Sequence, residues 1–284
     1  MNLYLTQTTS CFLDNALKTP AESEQGCRVT EFEGRLYCVY IDGSSLPGRP
    51  KYMRWTPAAG WSEPQSVFEE LRTHHVPHIF TFNGALHVLA ISELGSTVLA
   101  TYDTALRQFV IQDAPGLPSR VVMTPGTVVH SGRLYLFYRW ESGNVFYVTT
   151  PDLKSWTRST TVMDDMVPIR ASVSPVVVEY QGLIHLLYKA SDGYYLIKIS
   201  GEHSTRPQLL VAQDDGPSVG AVVHNGLLKV LVVCKNNGVG ELHQFGYDGN
   251  AIGLPVRSST VDADASPGVA VLNDTLVVVY RVKP

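Results

Sequence analysis

The chain has 284 residues, 44% hydrophobic and only 17% charged, which excludes disorder and requires a large buried core. Its 22 Lys and Arg against 26 Asp and Glu leave a formal charge of -4, so it offers no basic field for a phosphate backbone and nucleic acid is not an expected partner. There is no run of 18 apolar residues and no basic, apolar leader at residues 1–7, so no membrane span is expected, and the expected location is cytoplasmic, or released without a readable signal peptide.

In chain order, Leu3-Tyr4-Leu5-Thr6 reads as a strand and Phe12 to Leu17 as a second. A short phrase then recurs about every 48 residues: Glu33-Gly34-Arg35-Leu36-Tyr37, Asn83-Gly84-Ala85-Leu86-His87, Ser131-Gly132-Arg133-Leu134-Tyr135, Gln181-Gly182-Leu183-Ile184-His185 and Asn225-Gly226-Leu227-Leu228-Lys229. A degraded sixth copy reads Asn273-Asp274-Thr275-Leu276-Val277. Before each phrase lies a β-branched run such as Val176-Val177-Val178, and after it a second strand ending in Tyr in four units, at Tyr40, Tyr138, Tyr188 and Tyr280. Asn-Gly-type pairs supply the positive φ of a tight hairpin. A Gly- or Asp-bearing loop, a third strand such as Val145-Phe146-Tyr147-Val148 and a short fourth strand complete the unit.

Four antiparallel strands per repeat make one propeller blade. The sixth unit stops after two strands, and residues 1–20 supply the two that 265–284 lack. The expected fold is therefore all-β: a six-bladed β-propeller of four-stranded blades, a single domain over 1–284, closed by pairing of its ends.

Two turns carry a resemblance. Thr150-Pro151-Asp152-Leu153-Lys154-Ser155-Trp156 resembles the S-x-D-x-x-x-W turn of glycosidase and sialidase propellers, and Gly60-Trp61-Ser62 resembles the G-W-S turn of lectin-like propellers. Architecture as a whole resembles the six-bladed group that holds sialidase-like enzymes, phosphotriesterase-like enzymes and fungal and bacterial lectins. Both turns are structural in those families, so the resemblance implies the fold and leaves function to the site.

Seven residues before the hairpin Gly, four units carry Pro (Pro77, Pro125, Pro175, Pro267), at the entry of the inner strand where a missing N–H is tolerated. Twelve residues before it stand Glu22, Arg72, Arg120, Arg170, Asp214 and Asp262. Such a ring of charge at the mouth of the axial channel reads in two ways. Arg72, Arg120 and Arg170 clamp an anionic ligand, an arrangement similar to the arginine triad with which sialidases hold a sugar carboxylate, or they pair with neighbouring acids and plug the channel.

His74, His75, His78 and Trp140 join the arginines as candidate ligand-binding residues, and Asp214, Asp262, Glu22 and His75 are the candidate catalytic groups. The ends of the second strands at Arg139, Lys189, Lys235 and Arg281, with Glu24, Asp215 and Asp264, fall near the same mouth. No metal site or cofactor is expected: Cys11, Cys27, Cys38 and Cys234 show no C-x-x-C spacing and read as free thiols. The four Trp offer stacking surfaces for sugar rings or packing between blades. The leading reading is lectin-like binding of a glycan or small polar or anionic ligand, at the axial mouth or between blades. The alternatives are an enzyme acting on an acidic or polar substrate in the axial pocket, glycosidase-like or lyase-like, and a protein-interaction or toxin-associated scaffold. Oligomeric state is left open.

Overall fold

The six repeated phrases form six hairpin turns of one geometry. Both central residues of each have positive φ, from Glu33 at 51° and Gly34 at 71° to Asn273 at 49° and Asp274 at 56°. Asp274 stands where the other copies have Gly, and Asp is among the few side chains that tolerate this region. The computed structural model describes residues 2–8, 17–23, 25–43, 46–201, 203–212, 216, 219–236, 239–258 and 265–282, which form strands, turns and loops and contain no helix.

The fold is an all-β propeller of four-stranded antiparallel blades. Strand pairing yields six sheets of four or five strands and one two-stranded ribbon, Met163–Asp164 with Val167–Pro168. A count of blades gives five, one fewer than the repeat predicts. The sheets are unequal in regularity: in the first, the outer strand is split into Gly60–Trp61 and Gln65–Ser66, and in the fourth into His203–Ser204 and Gln208–Ala212.

Inner strands Cys27–Phe32, His78–Phe82, Gly126–His130, Val176–Tyr180, Gly220–His224 and Gly268–Leu272 pack side by side around the axis. Pro77, Pro125, Pro175 and Pro267 stand immediately before theirs, as expected. The chain ends meet: Asn2–Thr8 pairs with Thr275–Arg281 from Leu3 opposite Arg281 to Thr8 opposite Leu276. The next strand outward is Leu17–Glu22, later than the expected Phe12–Leu17, of which residues 12–16 lie outside the described residues. Its Pro20 is tolerated because an outermost strand needs hydrogen bonds on one side only.

The core is a set of apolar layers between neighbouring sheets. Leu3, Leu5, Val277 and Val279 of the terminal sheet pack on Cys38, Tyr40, Met53 and Trp55 of the first, and Tyr37, Val39 and Tyr52 on Ile79, Val88 and Tyr102 of the second. Tyr40, Tyr138, Tyr188 and Tyr280 are all buried, so the recurrent Tyr packs blades together. Cys27 and Cys38 are buried free thiols, with Cys38 pushed well up by burial; Cys234 is half-buried, and Cys11 lies outside the described residues.

The Asp152 turn is structural. Its carboxylate accepts the backbone N–H groups of Lys154 and Ser155, bonds that hold its pKa down at about 2, and Trp156 donates to the Leu153 carbonyl. Asp103 and Asp248 cap the same turn in the second and fifth sheets.

Candidate functional site

Loops that carry the chain from one outer strand to the next inner strand are stitched to the blades on either side. Thr73 and Gly48 exchange backbone hydrogen bonds, Ser119 bridges to Ser96, Arg170 to Asn144, and Val121 to Trp140. Ends of the second strands tighten the same seams: Arg139 donates to the Ala171 carbonyl at 2.6 Å and Lys189 to that of Gly216 at 2.8 Å.

These seams place the predicted arginines at three successive junctions. Arg72 is exposed and donates to the Pro47 carbonyl, and Arg170 is exposed with its Nε 3.3 Å from the Asn144 side chain. Arg120, exposed at φ 59°, lies against Gly95. It alone of the three lines a rim pocket of about 300 Å³, with His74, His75, Glu93 and Glu141. His75 is half-buried, and burial first, then neighbouring His74, lowers its pKa. Trp140 is 41% exposed beside this seam, edge-on to Phe146. Glu22 ends the outermost strand of the terminal sheet, opposite Asn2. Asp214, Asp262, Glu24, Asp215 and Asp264 lie outside the described residues. Among the described residues no cluster of three His, Cys, Asp or Glu could hold a metal.

What lines the axis is the inner strand itself, and residues six before each hairpin Gly take the place expected for those twelve before it. That position holds Arg28, His78, Gly126, Val176, Gly220 and Gly268, and all six line one small cavity of about 90 Å³ with Pro125, Pro175 and Pro267. Glycine is required where the strands converge: a Cβ on Gly126 would lie 2.7 Å from the Pro175 carbonyl oxygen, and one on Gly220 2.8 Å from that of Pro267. His78 was foreseen as a ligand group; Arg28 was not, although a charged residue inside an apolar inner strand was its signal. The channel continues into a wider section of about 420 Å³ bordered by Thr30, Glu31, Phe80 and Thr127.

A third concavity, of about 470 Å³, opens between the first two sheets on the hairpin side of the ring. It is lined by Arg35, Arg54, Thr56, Trp61, Ser62 and, from the second sheet, Arg107, with no carboxylate among its lining residues. The register places an arginine at this junction. Arg54 pairs with Tyr37, where the corresponding cross-strand pairs are His87 with Thr101, Tyr135 with Thr149, His185 with Lys198 and Lys229 with Gly246. Half-buried Arg54 donates to the Tyr102 hydroxyl at 3.2 Å, while Arg35 and Arg107 are exposed. Trp61 packs its ring on the first core layer beside Trp55. Sequence reasoning weighed Trp61 as a stacking surface but missed these arginines, because they meet only when two repeats are apposed.

No family model matches the chain, and no curated protein matches it in sequence. Solved structures do match in fold. AofleA from Arthrobotrys oligospora superposes with a TM-score of 0.67 at 10% identity, covering 93% of this chain and 82% of that one. A lectin from Aleuria aurantia, in complex with Fucα1-6GlcNAc, gives 0.65 at 10% identity over 92% and 91%. An α-L-arabinofuranosidase from Clostridium thermocellum gives 0.54 at 15% identity over 85% and 98%. At such identities the likeness shows the propeller fold alone.

Proposed function

We propose that this propeller is a lectin-like binder of glycans that uses the cleft between its first two sheets. The carrying observation is the convergence there of Arg35, Arg54 and Arg107 with Trp61 and no carboxylate. Guanidinium groups are donors only, so the ligand must bring acceptors, which favours a sugar bearing a carboxylate or sulfate over a neutral one. On this reading the cleft takes one ligand. Lectins among the fold neighbours support the reading.

In the same reading the ring has six blades and the chain forms one domain. Six inner strands pack in a closed circuit, and each belongs to its own sheet of four or five strands. An experimental structure showing five inner strands at the axis would overturn the count.

The test of function is a glycan array with neutral and acidic sugars, run on the wild type and on Arg107→Ala, Arg54→Ala and Arg120→Ala. Acidic glycans should bind, and Arg107→Ala should weaken them by about tenfold or more, the scale of one charge-assisted hydrogen bond. Loss in Arg120→Ala alone would move the site to the rim pocket. A blank array would sink the glycan reading.

A second reading has one specific support: the rim pocket joins two carboxylates, Glu93 and Glu141, to His75 and Arg120, and a pair of carboxylates is what glycoside hydrolysis requires. Glycosidases stand among the fold neighbours. On that reading Glu141→Gln abolishes turnover and leaves binding, with Asp214→Asn, Asp262→Asn and His75→Asn as companion tests.

A further inference from the structure

The end of the axial channel where the inner strands begin holds a cation that no described residue neutralises. Arg28 enters the cavity from the first inner strand, partly buried, and its one hydrogen bond among the described residues is a long 3.5 Å contact to the adjacent Cys27 carbonyl. No ion pair reaches it among the described residues. Desolvation lowers its pKa, yet a guanidinium does not lose its proton in a protein, so neutralisation by deprotonation is closed to it. A buried, unpaired charge is costly, and what relieves it is an opposite charge.

His78 supplies a second donor at the same level. Its Nε2 accepts the Thr127 backbone N–H at 3.2 Å and meets the Thr127 hydroxyl at 2.9 Å, so the ring proton sits on Nδ1. The imidazole is neutral, because burial and then the Arg28 charge depress its pKa to about 3. Gly126, Gly220 and Gly268 line the same cavity and contribute only backbone to its wall. The volume, about 90 Å³, suits a small oxyanion and is too small for a sugar ring.

We propose that this cavity is a binding site for one small oxyanion, either a free inorganic ion or a single carboxylate group, held by the Arg28 guanidinium and the His78 Nδ1–H. It is independent of the inter-blade cleft, since it shares no lining residue with it and lies at the other end of the blades.

The test is thermal unfolding of the intact chain at constant ionic strength with sodium sulfate, acetate or glucuronate replacing chloride. Sulfate and acetate at about a hundredfold excess over Kd should raise the wild-type Tm by roughly 5 °C more than they raise that of Arg28→Gln. Taking that difference removes the general stabilisation by excluded salts. Arg28→Lys, which keeps the charge, should retain part of the effect. Stabilisation by sulfate and acetate but not glucuronate assigns the site to free ions, and equal stabilisation by glucuronate assigns it to a carboxylate borne on a larger molecule. Equal Tm increments in wild type and Arg28→Gln overturn the proposal. Should the variants not fold, wild-type crystals in sodium bromide provide the second measurement: an anomalous peak between Arg28 and His78 is expected, and none at that point overturns the proposal. Failure of the glycan array together with a positive anion shift would sink the lectin reading and leave this one standing.

Discussion

Two groups of arginines, one at the axis and one between blades, show how the same side chain acquires opposite roles from its surroundings. At the axis a single guanidinium stands partly buried in a small cavity, with no carboxylate paired to it among the described residues. In the cleft three guanidiniums share a larger, open space in which water screens them and Tyr102 takes one hydrogen bond. Desolvation strengthens each remaining interaction and restricts the ligand to what fits, whereas the open cleft tolerates three like charges and leaves room for a large ligand.

The largest effect should come from filling the axis. Gly220→Val places a branched side chain where a Cβ already lies 2.3 Å from Val269 Cγ2 and 2.8 Å from the Pro267 carbonyl oxygen. Overpacking of this kind costs about 1–3 kcal/mol or more, seen as a lower midpoint in urea unfolding. An unchanged midpoint would mean that the inner strands are farther apart than described.

Next is the contrast between the two sites in anion-free buffer. Arg28→Met removes an unpaired, partly buried charge and should leave stability equal or raised, whereas Arg54→Met removes the donor to Tyr102 and should lower it by about 1 kcal/mol. Equal losses would erase the distinction drawn here.

Stability also depends on pH. His78 titrates near 3 in the fold and near 6.5 when unfolded, so its contribution to stability is complete above 6.5 and is lost as pH falls from there toward 3. His75, His87 and His185 are lowered as well, all with burial as the leading cause, and act in the same direction. Unfolding midpoints should therefore fall below pH 6.5, and His78→Gln should flatten the slope. Smallest is Asp152→Asn at an exposed turn: it weakens acceptance of the Lys154 and Ser155 N–H groups, and its slight loss of Tm should vanish as pH falls toward 2, where the native carboxylate takes up its proton.

Much of the fold was legible because its determinants are local. Gly34, Gly84, Gly132, Gly182 and Gly226 mark turns that need positive φ, and alternating apolar runs beside them can only be strands. Joining of the chain ends was expected because the last repeat lacks two strands and the first residues alternate, and Leu3 lies opposite Arg281. The outer strand of that sheet was misplaced because an edge strand needs little apolar pattern of its own.

For the sites, position in the repeat set the height of a residue along the axis but not its radius or its neighbours. Arg72, Arg120 and Arg170 share one repeat position, yet the connecting loops hold them at separate seams, because backbone bonds or bridges to Gly48, Ser96 and Asn144 tie each loop to the blade before it. Arg28 and His78 also share a position, and there the inner strands converge, so they meet. The repeat, the hairpins, the strand order within a blade and the joining of the ends follow from backbone geometry over a few residues and are written in the chain. Which charges come together and which are desolvated depends instead on how neighbouring blades pack, and packing between repeats has no local code.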